Sequence, residues 1–327
     1  MSAALLEVQA LRVYFPVAAG GLLRRRWVAL KAVDGISFDL APGETLGVVG
    51  ESGCGKSTLG RAVLQLIRPT AGRVLWLGRD LAALDAGELR ACRREMQIVF
   101  QDPLASLDPR MPVGESIAEP LLSGAPRLSR AERRERVQAM MQAVGLLPQM
   151  INRYPHEFSG GQCQRIGIAR AMILRPRLVV CDEPVSALDV SIQAQIINLL
   201  MELQRELGTA LIFISHNLAV VRHISRRVLV LYLGRMVELA DRDSLYAAPY
   251  HPYTQALIAA VPLPDPRREA GRPRLVLSGD LPSPIDPPSG CVFRTRCPRA
   301  TSLCAAEPPP VEVVGDRHLV ACHHWRR

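Results

Sequence analysis

The sequence predicts an α/β fold with a mostly parallel core sheet and a loop-rich C-terminal extension. From Leu5 to about Ala240, short β-branched runs ("TLGVVG", "MQIVF", "RLVVCDEP", "ALIFISH", "RVLVLYL") alternate with helical patterns. A glycine-rich loop separates the first of these strands from a helix. Beyond Pro249 the texture changes, with 14 of the chain's 26 prolines in the last 79 residues. Proline fixes φ and lacks an N–H, so this stretch is expected to avoid long helices and central strands and to drape over something else.

With 327 residues and 48% hydrophobic content the chain can bury a large core, which excludes disorder as a class. No apolar run is long enough for a membrane span, and "MSAALLEVQALRVYF" lacks the features of a secretory signal, so a cytosolic protein is expected. Its eight cysteines are then expected to be reduced, which disfavours a disulfide framework and makes a metal the natural use of any cluster. A formal charge of +9 implies an anionic partner, and charge alone does not choose among a nucleotide, a nucleic acid and lipid headgroups. Arg24 to Arg26 read as a solvated loop rather than a binding patch.

Taken in order, the elements place the chemistry. "TLGVV" is a buried strand, and "GESGCGKST", Gly50 to Thr58, follows it directly before the helix-like "LGRAVLQLI". This is the phosphate-loop pattern in its required strand–loop–helix context. Gly50, Gly53 and Gly55 let the backbone approach, so that N–H groups at a helix N-terminus face phosphates, with Ser52, Cys54 and Thr58 completing the loop. Lys56 would neutralise the terminal phosphates and Ser57 would hold Mg2+. Cys54 is read as a small residue that suits the spot. A helical insertion is expected between Val113 and Val144, where Ser129 is a cap and Gly145 a stop. "RLVVCDEP" ends a strand in two acids. Asp182 is assigned to Mg2+ and Glu183 to the attacking water as general base. "FSGGQCQR" carries Ser159, Gly160, Gly161 and Gln162 before a helix, a second anion site that the first pocket cannot also use. Asp189 follows in "SALD", and "FISH" places His216 at a strand end.

This ordered set, with Gln101 in "VFQDP", resembles the ATP-binding-cassette (ABC) ATPases from about Leu5 to Ala240. The resemblance implies a P-loop ATPase with an antiparallel β subdomain, a helical subdomain over about 102–158, and a nucleotide-binding domain over 1–245 followed by an extension over 246–327. It also implies that two cassettes pair head to tail, each closing its Ser159–Gln162 segment over the ATP of the other. Gln101 then senses Mg2+ and the γ-phosphate, His216 contacts the γ-phosphate and Asp189 works across the interface. Phe15 is the aromatic expected to stack on adenine, with Tyr14 second. Two positions depart from the family: Phe158 stands where leucine is commoner, and Asn217 follows the histidine where aspartate is usual.

"HPYTQALIAAVPLPDP" and "GDLPSPIDPPSGCVF", together with the cysteines after them, narrow the resemblance to ATP-binding subunits of bacterial dipeptide and oligopeptide importers, of the F type. That implies a partner ATPase subunit of the D type, two transmembrane permease subunits, a peptide-binding protein acting indirectly, and a peripheral place on the cytoplasmic face of the inner membrane. Relatives with the same tail import nickel, glutathione or sugars. A soluble ATPase acting on nucleic acid accounts for the charge but leaves the tail unexplained, so no nucleic acid is expected. Cys291, Cys297, Cys304 and Cys322 have gaps of five, six and seventeen residues, which leave buried thiols, zinc and a [4Fe-4S] cluster open. The family resemblance implies the [4Fe-4S] cluster, with Zn2+ as the alternative and a structural role for either, since the tail is expected to have little core of its own.

Overall fold

The computed structural model describes residues 4–19, 26–124, 128–261 and 279–326. Arg24, Arg25 and the proline-rich end of "AAVPLPDP" lie outside them. The chain divides into two compact units, one of Met1–Leu6, Leu40–Thr45 and Leu75–Ser215, the other of Glu7–Asp39, Leu46–Val74 and His216–Arg327.

The second unit holds strands β1 (Leu6–Ala19), β2 (Arg26–Leu40), β3 (Thr45–Val49), helix α1 (Lys56–Val63) and β4 (Ala71–Trp76). In the first unit the end of β4 turns into β5 (Arg79–Asp80), with Leu75 opposite Asp80. There follow α2 (Ala86–Glu95), β6 (Met96–Val99), α3 (Val113–Gly124), α4 (Arg130–Ala143), α5 (Gly160–Met172), β7 (Leu178–Asp182), α6 (Val190–Leu207) and β8 (Ala210–Ile214). The second unit resumes with α7 (Leu218–Ile224), β9 (Arg227–Tyr232), β10 (Arg235–Asp241), α8 (Arg242–Ala247), α9 (Pro252–Ala259), α10 (Ser302–Ala306), β11 (Glu312–Gly315) and β12 (His318–Val320).

In the first unit β6, β7 and β8 pair in parallel, with Val99 opposite Cys181 and Asp182 opposite Ile214. Every residue of β7 and β8 is buried, as expected of a sheet covered on both faces and of the continuous apolar runs "LVVC" and "ALIFI". The expected helical insertion is present as α3 and α4. Ser129 accepts the Glu132 N–H while the Glu132 carboxylate accepts the Ser129 N–H, a reciprocal cap, and Gly145 ends the segment at φ 73°.

In the second unit β3 pairs in parallel with β9, and β9 runs antiparallel to β10. Here the tail departs from expectation. Residues 311–320, beyond the last proline, form the hairpin of β11 and β12, and β12 pairs with β10, Glu238 opposite Val320. The alternating "VEVVGDRHLV" has no proline to break it, so backbone N–H groups are free to join the ladder. Phe293, 1% exposed, packs against Tyr232 and Tyr253 at ring-centroid distances of 5.2 and 5.4 Å. Burying an aromatic ring contributes about 1.5–3 kcal/mol, so the extension does have a core. Among the described residues no helix is long and apolar enough to cross a membrane.

Candidate active site

The glycine-rich loop leaves β3 at Gly50 and enters α1 at Lys56. Its glycines are required by geometry. A Cβ on Gly55 (φ 102°) would stand 2.0 Å from the Ala32 carbonyl oxygen, and one on Gly50 (φ 153°) would stand 2.3 Å from the Leu231 carbonyl oxygen. Neither backbone atom can swing away as a side chain can. Lys56 is 4% exposed, and its Nζ donates to the carbonyl oxygens of Gly50 (2.8 Å) and Glu51 (3.0 Å), so the ammonium lies under the loop. Ser52 and Gly53 are exposed at the tip, and Ser57 and Thr58 are half-buried at the helix start. Cys54 is buried, and burial pushes its thiol pKa up. It is therefore a packed, protonated side chain rather than a reactive one.

The other aromatic and histidine candidates also belong to the second unit. Phe15 is half-buried on β1, while Tyr14 donates its hydroxyl to Asp34 (2.5 Å), a carboxylate gripped by Arg235 at 2.8 and 3.1 Å. His216 is exposed at the start of the α7 turn. Asn217, the departure from the family's aspartate, caps α7 by accepting from the N–H groups of Ala219 (3.0 Å) and Val220 (3.4 Å). Asparagine caps as well as aspartate, so the local turn is kept without the charge.

In the first unit the paired acids end β7 as expected. Asp182 is 1% exposed. Glu183 adopts a left-handed backbone (φ 48°), which costs a non-glycine residue about 1–2 kcal/mol. Its N–H donates to the Ile214 carbonyl (3.1 Å), while its own carbonyl accepts from the Ser186 N–H (3.3 Å) and hydroxyl (3.1 Å). These three bonds hold the strained turn. Gln101 Nε2 donates to Glu183 Oε2 at 3.3 Å, so residues 82 positions apart meet at one carboxylate.

Ser159 caps α5. Its hydroxyl accepts the Gln162 N–H (3.3 Å) and Gln162 Oε1 accepts the Ser159 N–H (2.9 Å). Ser159 and Gly160 are exposed, leaving the helix start open to an anion. A Cβ on Gly161 would stand 2.7 Å from Ile192 Cγ2, so the small residue admits the segment that carries Asp189. Asp189 caps α6, and hydrogen bonds from the Ser191 hydroxyl and then the Ile192 N–H hold its carboxyl below the usual pKa range.

The cysteine cluster requires a correction. Among the described residues no group of three or more His, Cys, Asp or Glu side chains is arranged to hold a metal ion. Neither the iron–sulfur assignment nor its zinc alternative stands. Cys291, Cys297, Cys304 and Cys322 are free thiols, and burial raises the pKa of Cys291 and Cys297 and pushes Cys322 to about 11. The premise that the tail needs a metal staple fails because the aromatic cluster, the β11–β12 hairpin and the buried His318–Glu238 pair (2.8 Å) already fasten it.

Two contacts escaped the sequence. Glu51, inside the loop, donates its N–H to the Tyr253 hydroxyl (2.9 Å) and its carboxylate accepts from Arg296 (2.8 Å). No local spacing could have linked positions 202 and 245 residues apart.

Comparison with known proteins places the chain in a family. The family model described as "ABC transporter" matches residues 33–186, and that of the "Oligopeptide/dipeptide transporter, C-terminal region" matches residues 237–304. The oligopeptide transport ATP-binding protein OppF of Salmonella typhimurium is 60% identical over 323 residues, covering 97% of this chain and 95% of that protein. AppF of Bacillus subtilis, also an oligopeptide transport ATP-binding protein, is 53% identical over 320 residues, covering 98% and 97%. Among solved structures, a dimeric ATP-binding cassette in a post-hydrolysis state bound to ADP and Pi aligns with TM-score 0.64 and 27% identity, covering 72% of this chain and 98% of that one. CbiO1 of Clostridium perfringens, part of the ABC transporter complex cbiONQ, aligns with TM-score 0.63 and 26% identity, covering 75% and 91%.

Proposed function

The chain belongs to the ATP-binding subunits of ABC transporters of the oligopeptide type, and from that premise we propose that it powers the import of dipeptides and oligopeptides across the bacterial inner membrane. The enzymatic activity is ATP hydrolysis, ATP and water giving ADP and phosphate. The observation that carries it is the phosphate cradle, in which a buried Lys56 curls under a loop that tolerates only glycine at Gly50 and Gly55. Peptide cargo is supported by 60% identity to an oligopeptide transport protein along nearly the whole chain.

In this reading Lys56 and the loop N–H groups of Gly53 to Thr58 bind the phosphates. The hydroxyl of Ser57, the amide of Gln101 and the carboxylate of Asp182 suit a hard divalent cation, and Mg2+ held there would neutralise charge on the phosphates. Glu183 takes the proton of the attacking water, with Gln101 orienting its carboxylate. Phe15 stacks on adenine and His216 contacts the γ-phosphate. Ser159, Gly160, Gly161, Gln162 and Asp189 act on the nucleotide of a partner cassette, a head-to-tail arrangement supported by the dimeric state of the neighbouring solved cassette. The partner is a related D-type ATPase subunit, and the pair sits on the cytoplasmic face against two permease subunits. Functionally, residues 1–245 bind nucleotide, with a helical part over about 102–158 that transmits closure, and 246–327 form the extension.

The test is reconstitution. In proteoliposomes with its permease and partner subunits, the chain should hydrolyse ATP faster when a peptide-loaded binding protein is added, and labelled peptide should accumulate inside. ATP hydrolysis that responds to another cargo and never to peptide would refute the peptide reading.

A further inference from the structure

The Gly50–Glu51 peptide is held from two directions. From below, Lys56 Nζ grips the carbonyl oxygens of Gly50 and Glu51. From the other side the extension grips what remains: the Tyr253 hydroxyl accepts the Glu51 N–H at 2.9 Å, and Arg296 Nη1 donates to Glu51 Oε2 at 2.8 Å. Both grips come from rigid ground. Tyr253 is fully buried in van der Waals contact with Tyr232 (4.8 Å between centroids), and Phe293 closes the cluster three residues before Arg296. Arg296 donates its N–H to the Phe293 carbonyl at 3.0 Å, and its side chain is only 9% exposed. The Arg296 guanidinium lies against the Tyr232 hydroxyl as well as on Glu51, which holds it in place.

An acid at this place is a puzzle for a loop that receives a polyanion. A carboxylate one residue past Gly50 repels incoming phosphates unless a cation cancels it, and Lys56 cannot serve both charges fully. We propose that Arg296 is a positioning residue for ATP: it neutralises Glu51 and, with Tyr253, holds the Gly50–Glu51 peptide in its phosphate-receiving conformation, making the C-terminal extension part of the nucleotide site. The inference rests on the reading of this loop as the ATP site. The ion pair is half-buried, with the Arg296 side chain 9% and the Glu51 side chain 27% exposed, so removing one partner leaves the other's charge poorly compensated, and the sign of the effect depends on which is removed. Loss of Arg296 leaves a bare carboxylate facing phosphate. Loss of the Glu51 charge leaves an extra cation there.

The experiment measures binding of TNP-ATP, a fluorescent ATP analogue, to the full-length chain, with thermal unfolding as a check on folding. Arg296→Met should raise Kd about tenfold, equivalent to about 1.4 kcal/mol. Arg296→Lys should recover most of the loss, because the charge returns. Glu51→Gln should bind as tightly as wild type or more tightly, and the Arg296→Met, Glu51→Gln double variant should return to within about threefold of wild type, the coupling a double-mutant cycle reads. A contact that served only to pack the tail would weaken binding in both single variants and would not be repaired in the double one, and that pattern overturns the proposal. So does an unchanged Kd in Arg296→Met. If that variant does not fold, the direction of the Glu51→Gln change decides alone. Folded wild-type chain that fails to bind TNP-ATP would refute the ATP-site reading itself, whereas wild-type binding with unaltered Arg296→Met refutes this inference only.

Discussion

Acid should loosen the extension through His251. Its ring is 2% exposed, its Nδ1 accepts the Tyr253 N–H (3.0 Å) at the start of α9, and it lies 5.4 Å from the Phe293 ring centroid. Burial lowers its pKa from 6.5 to about 4, with the Glu238 carboxylate opposing the change. Unfolded, the same ring titrates near 6.5. Between these values the unfolded chain takes up a proton that the folded chain refuses, so the contribution is fully present above pH 6.5 and is lost as pH falls toward 4. At about 1.4 kcal/mol per pH unit this amounts to about 3 kcal/mol. His251→Asn keeps a side-chain acceptor at the cap but has nothing to titrate there, and pays only a pH-independent cavity cost of about 1 kcal/mol. Urea unfolding of the two proteins, followed by the fluorescence of Trp325 and its fellows from pH 7.5 to 4.5, should show wild type losing most of this margin over the variant as pH falls. Parallel pH profiles would refute the reasoning.

Two further predictions concern the loop. Lys56→Ala removes the buried ammonium that holds Gly50 and Glu51, and should weaken nucleotide binding by about 1.5–3 kcal/mol, roughly tenfold to a hundredfold in Kd by equilibrium titration. Equal affinity in variant and wild type would contradict it. Gly55→Ala sets a Cβ 2.0 Å from the Ala32 carbonyl at φ 102°, so the loop must shift. Nucleotide binding should be lost while circular dichroism stays near wild type, and retained binding would show that the cradle is more forgiving than its geometry.

Much of this was legible because the chemistry is local. The phosphate loop, the acids ending β7, the Ser159 cap and the Ser129 cap each combine a strand or helix signal with residues a few positions away, and that is the range over which backbone geometry couples neighbours. The hairpin and the core of the otherwise loop-rich tail are hidden from the sequence for the converse reason. Its proline count describes residues up to Pro310 and says nothing of the alternating run after it, which joins β10 as β12. Its cysteines read as ligands through the family resemblance and the expectation of a tail with little core of its own. That core is made with Tyr232 and Tyr253, far off in sequence, and the thiols are raised by burial instead of being held as thiolates. The Glu51–Arg296 pair was invisible for the same reason: 245 residues separate its members.

The most direct test of the account is the turnover of Glu183→Gln in the reconstituted transporter. Glu183, the proposed base, stands on a left-handed turn with Gln101 3.3 Å from its carboxylate, and glutamine keeps its size while losing its basicity. ATP binding should be retained while phosphate release falls about 10²-fold to 10⁴-fold, the contribution of a general base. Phosphate release near the wild-type rate, with ATP bound, would contradict the assignment of Glu183 and with it the reading of β7 as the catalytic edge.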